Sequence, residues 1–150
     1  MLNQWRRKQN MWRKTLQSLF IAIGSIWFLF ASVAVFAGHD EIHRIQISDL
    51  KKIMDQKADI VIVDAQLKSI YDSGHIRGAR SLPWKADLSE KDVQNLPKDK
   101  LIVVYCDCGP GEADSSDVAA QLVELGFSNV KVLGDPSIHG WKKAGYPIEK

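Results

Sequence analysis

An α/β fold built on a mostly parallel sheet is predicted by three features of the sequence. Two β-branched runs, Ile60-Val61-Ile62-Val63 and Leu101-Ile102-Val103-Val104-Tyr105, have no polar alternation, as strands buried on both faces require. Helical periodicities lie between and after them, and turn residues separate the elements. The third feature is a division of the chain: residues 1–37 are basic and then uncharged and apolar save for Ser25 and Ser32, whereas residues 38–150 have the mixed composition of one globular domain.

The first part predicts an N-terminal hydrophobic helix ahead of the domain. Arg6, Arg7, Lys8, Arg13 and Lys14 precede the run LFIAIGSIWFLFASVAVFA at residues 19–37, which contains no charge. At a rise of about 1.5 Å per residue, this run spans most of a hydrocarbon layer about 30 Å thick. A lasting membrane anchor fits. A cleaved signal also fits, because Val35-Phe36-Ala37 presents modest side chains before Gly38. Either way, the basic flank stays on the cytoplasmic side and the domain is expected on the periplasmic side, extracytoplasmic and either anchored or secreted. Removing those five basic residues from the total of 20 leaves 15 against 18 acidic ones, so the domain itself is mildly acidic and offers no nucleic-acid surface.

After a polar junction at Gly38–Glu41, Ile45 and Ile47 alternate with Gln46 as a short strand, and Ser48-Asp49 offers a cap for a helix carrying Leu50, Ile53 and Met54. The strand at Ile60–Val63 ends on Asp64. A short helical stretch around Ile70-Tyr71, a turn at Gly74, the segment Ser81-Leu82-Pro83-Trp84 and a helix from Ser89 to Leu96 lead to the second buried strand. Beyond it come a Gly/Pro loop and a helix with Val118, Ala119, Leu122 and Leu125 on one face, stopped at Gly126 and capped by Asp114 with Asp117 in its first turn. A strand at Val130–Leu133 and a short helix bearing Trp141 close the chain. Trp84 and Trp141 are expected to pack in the core.

The chemistry concentrates after the second buried strand. Cys106 and Cys108, the only cysteines, fall in the loop Cys106-Asp107-Cys108-Gly109-Pro110-Gly111-Glu112. In open α/β sheets, ligands bind outside the carboxyl ends of strands, where loop amides and a helix N-terminus converge. Gly109 and Gly111 allow the backbone to turn its amides towards a sulfur or an anion. Two cysteines alone make a poor metal site, and the nearest helpers in sequence, His75 and His139, would have to arrive through the fold, so no metal or other cofactor is expected.

The segment GHIRGA at Gly74–Ala79 resembles the GHIPGA signature of rhodanese-like domains. Further segments agree in order: Asp64 at a strand end, Tyr71 ahead of the signature, Tyr105-Cys106-Asp107-Cys108-Gly109 as the active loop, then Gly126–Val130 and Gly140–Pro147. The likeness spans residues 43 to 150. It implies that Cys106 is the catalytic nucleophile: its thiolate attacks the sulfane sulfur of a small donor, thiosulfate or a persulfide, and the resulting persulfide passes to a thiol or protein acceptor. Asp107, Cys108, Gly109, Gly111 and Glu112 then form the substrate-binding loop, with Asp64, His75 and His139 in support. His75 reads as a structural residue satisfying backbone groups, and His139 as a candidate gate or proton donor.

Three departures from the family pattern matter. Gln66 stands where the family usually has Arg, the active loop and its exit carry Asp107, Glu112 and Asp114 without a cation, and the loop is about three residues longer than the common form. Acids near Cys106 disfavour its thiolate and repel a dianion such as thiosulfate. Cys108 can attack a persulfide and release sulfide, leaving a disulfide that persists outside the cytoplasm, or it can simply fill a half-buried position. Two alternatives to a sulfurtransferase therefore stand: a catalytically weak rhodanese-fold binding module, and a thiol redox protein using Cys106 and Cys108.

Overall fold

The computed structural model describes residues 42–150, so the hydrophobic segment at 19–37 and the basic flank lie outside the described residues. Among the described residues no helix is long and apolar enough to cross a membrane.

The order of elements is β1 (Arg44–Ile45), α1 (Ile47–Asp55), β2 (Ile60–Asp64), α2 (Lys68–Ser73), β3 (His75–Ile76), β4 (Arg80–Ser81), α3 (Glu90–Val93), β5 (Leu101–Tyr105), α4 (Ala113–Glu124), β6 (Val130–Leu133), α5 (Ser137–Lys143) and β7 (Ile148–Glu149). Five strands form a parallel sheet in the order β1-β6-β5-β2-β4, while β3 and β7 pair antiparallel beside it. The two β-branched runs are adjacent and in register from Ile60 opposite Leu101 to Asp64 opposite Tyr105. Their ends therefore coincide, and Asp64 and Cys106 emerge at the same edge.

Strand periodicity divides the core. Val61, Val63, Ile102, Val104 and Cys106 face Val118, Ala119 and Leu122 of α4 on one side of the sheet. Ile62, Val103 and Tyr105 face Leu50, Ile138 and Trp141 on the other. Both faces are covered, which is why neither run alternates with polar residues. Cys106 continues the alternation of β5 by one residue, so its side chain enters the layer beneath α4.

Several element boundaries differ from the sequence expectation. Helix α1 starts at Ile47, one residue ahead of the expected Ser48-Asp49 cap, because the carbonyl of Gln46 accepts from both Asp49 N and Leu50 N. Helix α3 spans only Glu90–Val93; Ser89 N donates to Asp92 Oδ2 at its start, and Pro97 follows closely. Strand β4 escaped notice because it is two residues long. The edge it begins runs on through Leu82 N to Asp64 O and Trp84 N to Ala65 O, and Pro83, lacking an N–H, falls between these donors. Trp141 is fully buried, as expected, but Trp84 is not a core residue: it is 45% exposed, and its indole N–H donates to Asp117 Oδ2 at 2.6 Å.

Candidate functional site around Cys106

The Cys106 side chain is almost fully buried at the end of β5, whereas Cys108 is exposed, and their sulfurs are joined in a disulfide. Across the single spacer Asp107 the two Cα atoms are 5.6 Å apart, a separation that a disulfide spans, and the turn comes after Cys108. Gly109 and Gly111 take φ of +86° and +94°, and Glu112 N donates back to Gly109 O at 3.2 Å. The loop's glycines thus turn as expected, but the Glu112 amide is spent on the loop itself.

Glu112 is the N-cap of α4 and sits in the left-handed region at φ +52°, a conformation that costs a non-glycine residue about 1–3 kcal/mol. The expected Asp114 cap is not realised: α4 begins at Ala113, and Asp114 lies in its first turn. The left-handed turn directs the Glu112 side chain inward rather than to solvent. Its carboxylate is buried, with Oε2 3.2 Å from Cys106 Sγ. Burial, above all, pushes the acid up to about 7; Asp135 and Asp107 add to the rise, while the Ser137 hydroxyl and Arg44 oppose it. In the disulfide Cys106 Sγ has no proton to give, so across this contact a protonated Glu112 carboxyl donates to the sulfur.

Three further groups complete the surroundings. Ser115 is fully buried, with Oγ 3.5 Å from Cys106 Sγ and 3.1 Å from Glu112 O, to which it donates. Ser137, at the start of α5, donates to Cys106 O at 2.9 Å. Arg44 of β1 reaches across to donate to Gly111 O at 2.8 Å and to Ser116 Oγ at 3.3 Å. The loop itself has no cation, as its sequence says, yet β1 supplies one at its rim.

Behind the loop, Asp64 is fully buried and anchors the strand ends. Its Oδ1 accepts from Gln66 N at 2.8 Å, both carboxylate oxygens accept from Gln66 Nε2 at 3.1 Å, and Tyr105 Oη donates to Oδ2 at 2.6 Å. Gln66 thus meets the acid with neutral donors where an Arg would bring a charge. The Tyr105 hydroxyl in turn accepts from Ile76 N at 3.0 Å, which ties the GHIRGA turn to the residue preceding Cys106.

The model of the rhodanese-like domain matches residues 46–144. The chain belongs to this family. Among curated proteins, the rhodanese-like chain is 28% identical over 107 residues to a sulfurtransferase of Allochromatium vinosum, covering 71% of this chain and 94% of that one. Among solved structures, it is similar to a Bacillus halodurans protein (30% identity, TM-score 0.64, 71% of this chain and 76% of that one). It is likewise similar to the rhodanese-like domain of an Anabaena protein (30% identity, TM-score 0.60, 71% and 77%).

Within this rhodanese-like domain, the expected site residues come together only in part. Cys106, Cys108 and Glu112 come together, with their sulfurs and a carboxylate oxygen all within 4.8 Å of one another. Asp107, Gly109 and Gly111 lie exposed along the outside of the loop. Asp64 lies behind the loop, bonded to Gln66 and Tyr105 at the strand ends. His75 is structural: its ring stacks on Tyr71, Nδ1 lies 3.0 Å from Tyr71 O and Nε2 3.4 Å from Glu149 Oε1. His139 is exposed, and it is Ser137 of the same helix that touches Cys106. The reading of Cys108 as a half-buried filler fails because its side chain is exposed and bonded to Cys106. Sequence reasoning missed Arg44, Ser115 and Ser137. Only Ser115 had a local signal, as a polar residue on the apolar stripe of Val118, Ala119 and Leu122.

Proposed function

We propose that the chain is an extracytoplasmic sulfurtransferase or persulfide carrier whose Cys106 accepts a sulfane sulfur as a persulfide. The observation that carries this reading is the placement of a buried sulfur at the carboxyl end of a central parallel strand, beside the first turn of the twelve-residue helix α4. That position favours a thiolate through the helix dipole. The Allochromatium relative, a sulfurtransferase, supports the same chemistry. With Glu112 and Asp107 beside the nucleophile, the donor is a persulfide of low charge rather than thiosulfate, and the acceptor is a thiol or a protein.

Residues 19–37 serve as the membrane anchor or as a cleaved signal, with the domain on the periplasmic side. Mass spectrometry of the reduced chain after incubation with thiosulfate and with an alkyl persulfide tests the reading; Cys108→Ser is included to hold the adduct. One added sulfur on Cys106, absent from Cys106→Ser, is expected. If no donor loads either protein, the binding-module alternative replaces this reading. A second reading, a thiol redox protein, is favoured by the Cys106–Cys108 disulfide.

A further inference from the structure

We propose that the loop resolves its own persulfide: Cys108 attacks Cys106 Sγ and expels the outer sulfur as hydrosulfide, with Glu112 carrying the proton between the two. This rests on the persulfide reading above and adds to it the fate of the sulfur.

Three observations converge. The loop backbone holds the Cα atoms of Cys106 and Cys108 5.6 Å apart, a separation that a disulfide between them spans. Cys108 is exposed while Cys106 is buried in the disulfide, so an incoming reductant meets the Cys108 sulfur first. Glu112 has its carboxylate 3.2 Å from Cys106 Sγ and within 4.8 Å of both sulfurs. That placement goes with the φ of +52° that Glu112 takes as the N-cap of α4. The groups that bear on Glu112 are Arg44 from β1, Asp107 from the loop, Asp135 from the β6–α5 connection and the hydroxyl of Ser137 from α5. With an acid constant of about 7, the carboxyl can both take and return a proton at neutral pH.

The balance is closed. Cys106 bears a persulfide anion and Cys108 a thiol. Glu112 takes the Cys108 proton, the Cys108 thiolate forms a bond to Cys106 Sγ, and the bond from Cys106 Sγ to the outer sulfur breaks. The outer sulfur leaves with the electron pair and receives the proton from Glu112 as hydrosulfide. The sulfane sulfur gains two electrons, supplied by the two cysteines as they become a disulfide. A soluble dithiol then restores both thiols by attacking the exposed Cys108 sulfur, with Cys106 as the leaving thiolate.

The full chain, reduced and then freed of reductant, is mixed with one equivalent of an alkyl persulfide, and released sulfide is measured beside intact protein mass. Wild type is expected to yield one sulfide per chain and a mass two hydrogens lighter, whereas Cys108→Ser stops at a stable adduct one sulfur heavier and releases none. Glu112→Gln is expected to load but to release sulfide about a hundredfold more slowly, without the inflection near pH 7. A wild-type persulfide as stable as that of Cys108→Ser overturns resolution while leaving the carrier function intact. Failure of Cys108→Ser to load overturns the carrier reading and this inference together. Release from Glu112→Gln at the wild-type rate and pH dependence removes Glu112 from the mechanism.

Discussion

Replacing Glu112 by Gln in the oxidised protein should change not so much the stability itself as its dependence on pH. The carboxyl is only 2% exposed, and burial raises its acid constant from an ordinary 4.5 to about 7. Below about pH 4.5 the group is protonated in both folded and unfolded chains, and its contribution is full. Between pH 4.5 and 7 the unfolded chain ionises while the folded one keeps its proton. Folding therefore loses stability as pH rises, and the loss levels off once the folded group also ionises. The shift corresponds to a loss on the order of 3 kcal/mol for wild type. Gln has the same shape and does not titrate. Urea unfolding of both proteins from pH 5 to 8.5 isolates this group, because all other carboxylates are common to the pair. The stability difference should move by that amount in favour of Gln as pH rises, with most of the change below pH 7. Parallel stability curves would show that the carboxylate is solvated or fully compensated by Arg44, and the argument from burial would fail.

Cys106→Ser should abolish sulfur loading, while Cys108→Ser should load and retain the adduct; loading that depends on Cys108 alone would reverse the assignment of nucleophile. At low salt, Glu112→Gln should accelerate loading from thiosulfate more than from an uncharged persulfide, since only the dianion feels the lost charge; equal changes would place the charge away from the donor. Tyr105→Phe should destabilise the fold by about 2–4 kcal/mol, measured by denaturation, because Ile76 N–H and the buried Asp64 each lose a partner. Gly140→Ala should lower stability by about 1–3 kcal/mol, because an added Cβ overlaps the Pro136 ring in a buried turn. Protease added to intact cells or to sealed vesicles of known orientation should reach the domain from the extracytoplasmic side, and the intact mass of the native protein separates anchor from cleaved signal.

Local patterns in the chain were enough to establish the α/β class, the two central strands and the position of Cys106. An uninterrupted β-branched run has few other places to go than a sheet covered on both faces, and the loop after such a strand opens at the ligand-binding edge. The glycines at 109 and 111 likewise announced a turn, because each can take a positive φ at little cost. What the tertiary structure decided is the direction of the acids and the company of the sulfur. Whether Glu112 faced solvent or Cys106 depended on a single left-handed residue at the start of α4, a backbone state that composition does not encode. Arg44 and Ser137 reach the loop from 67 and 31 residues away along the chain, and Asp64 meets Tyr105 only because β2 and β5 pair in register. Such contacts are set by strand order and register, which are properties of the assembled sheet and not of any local segment.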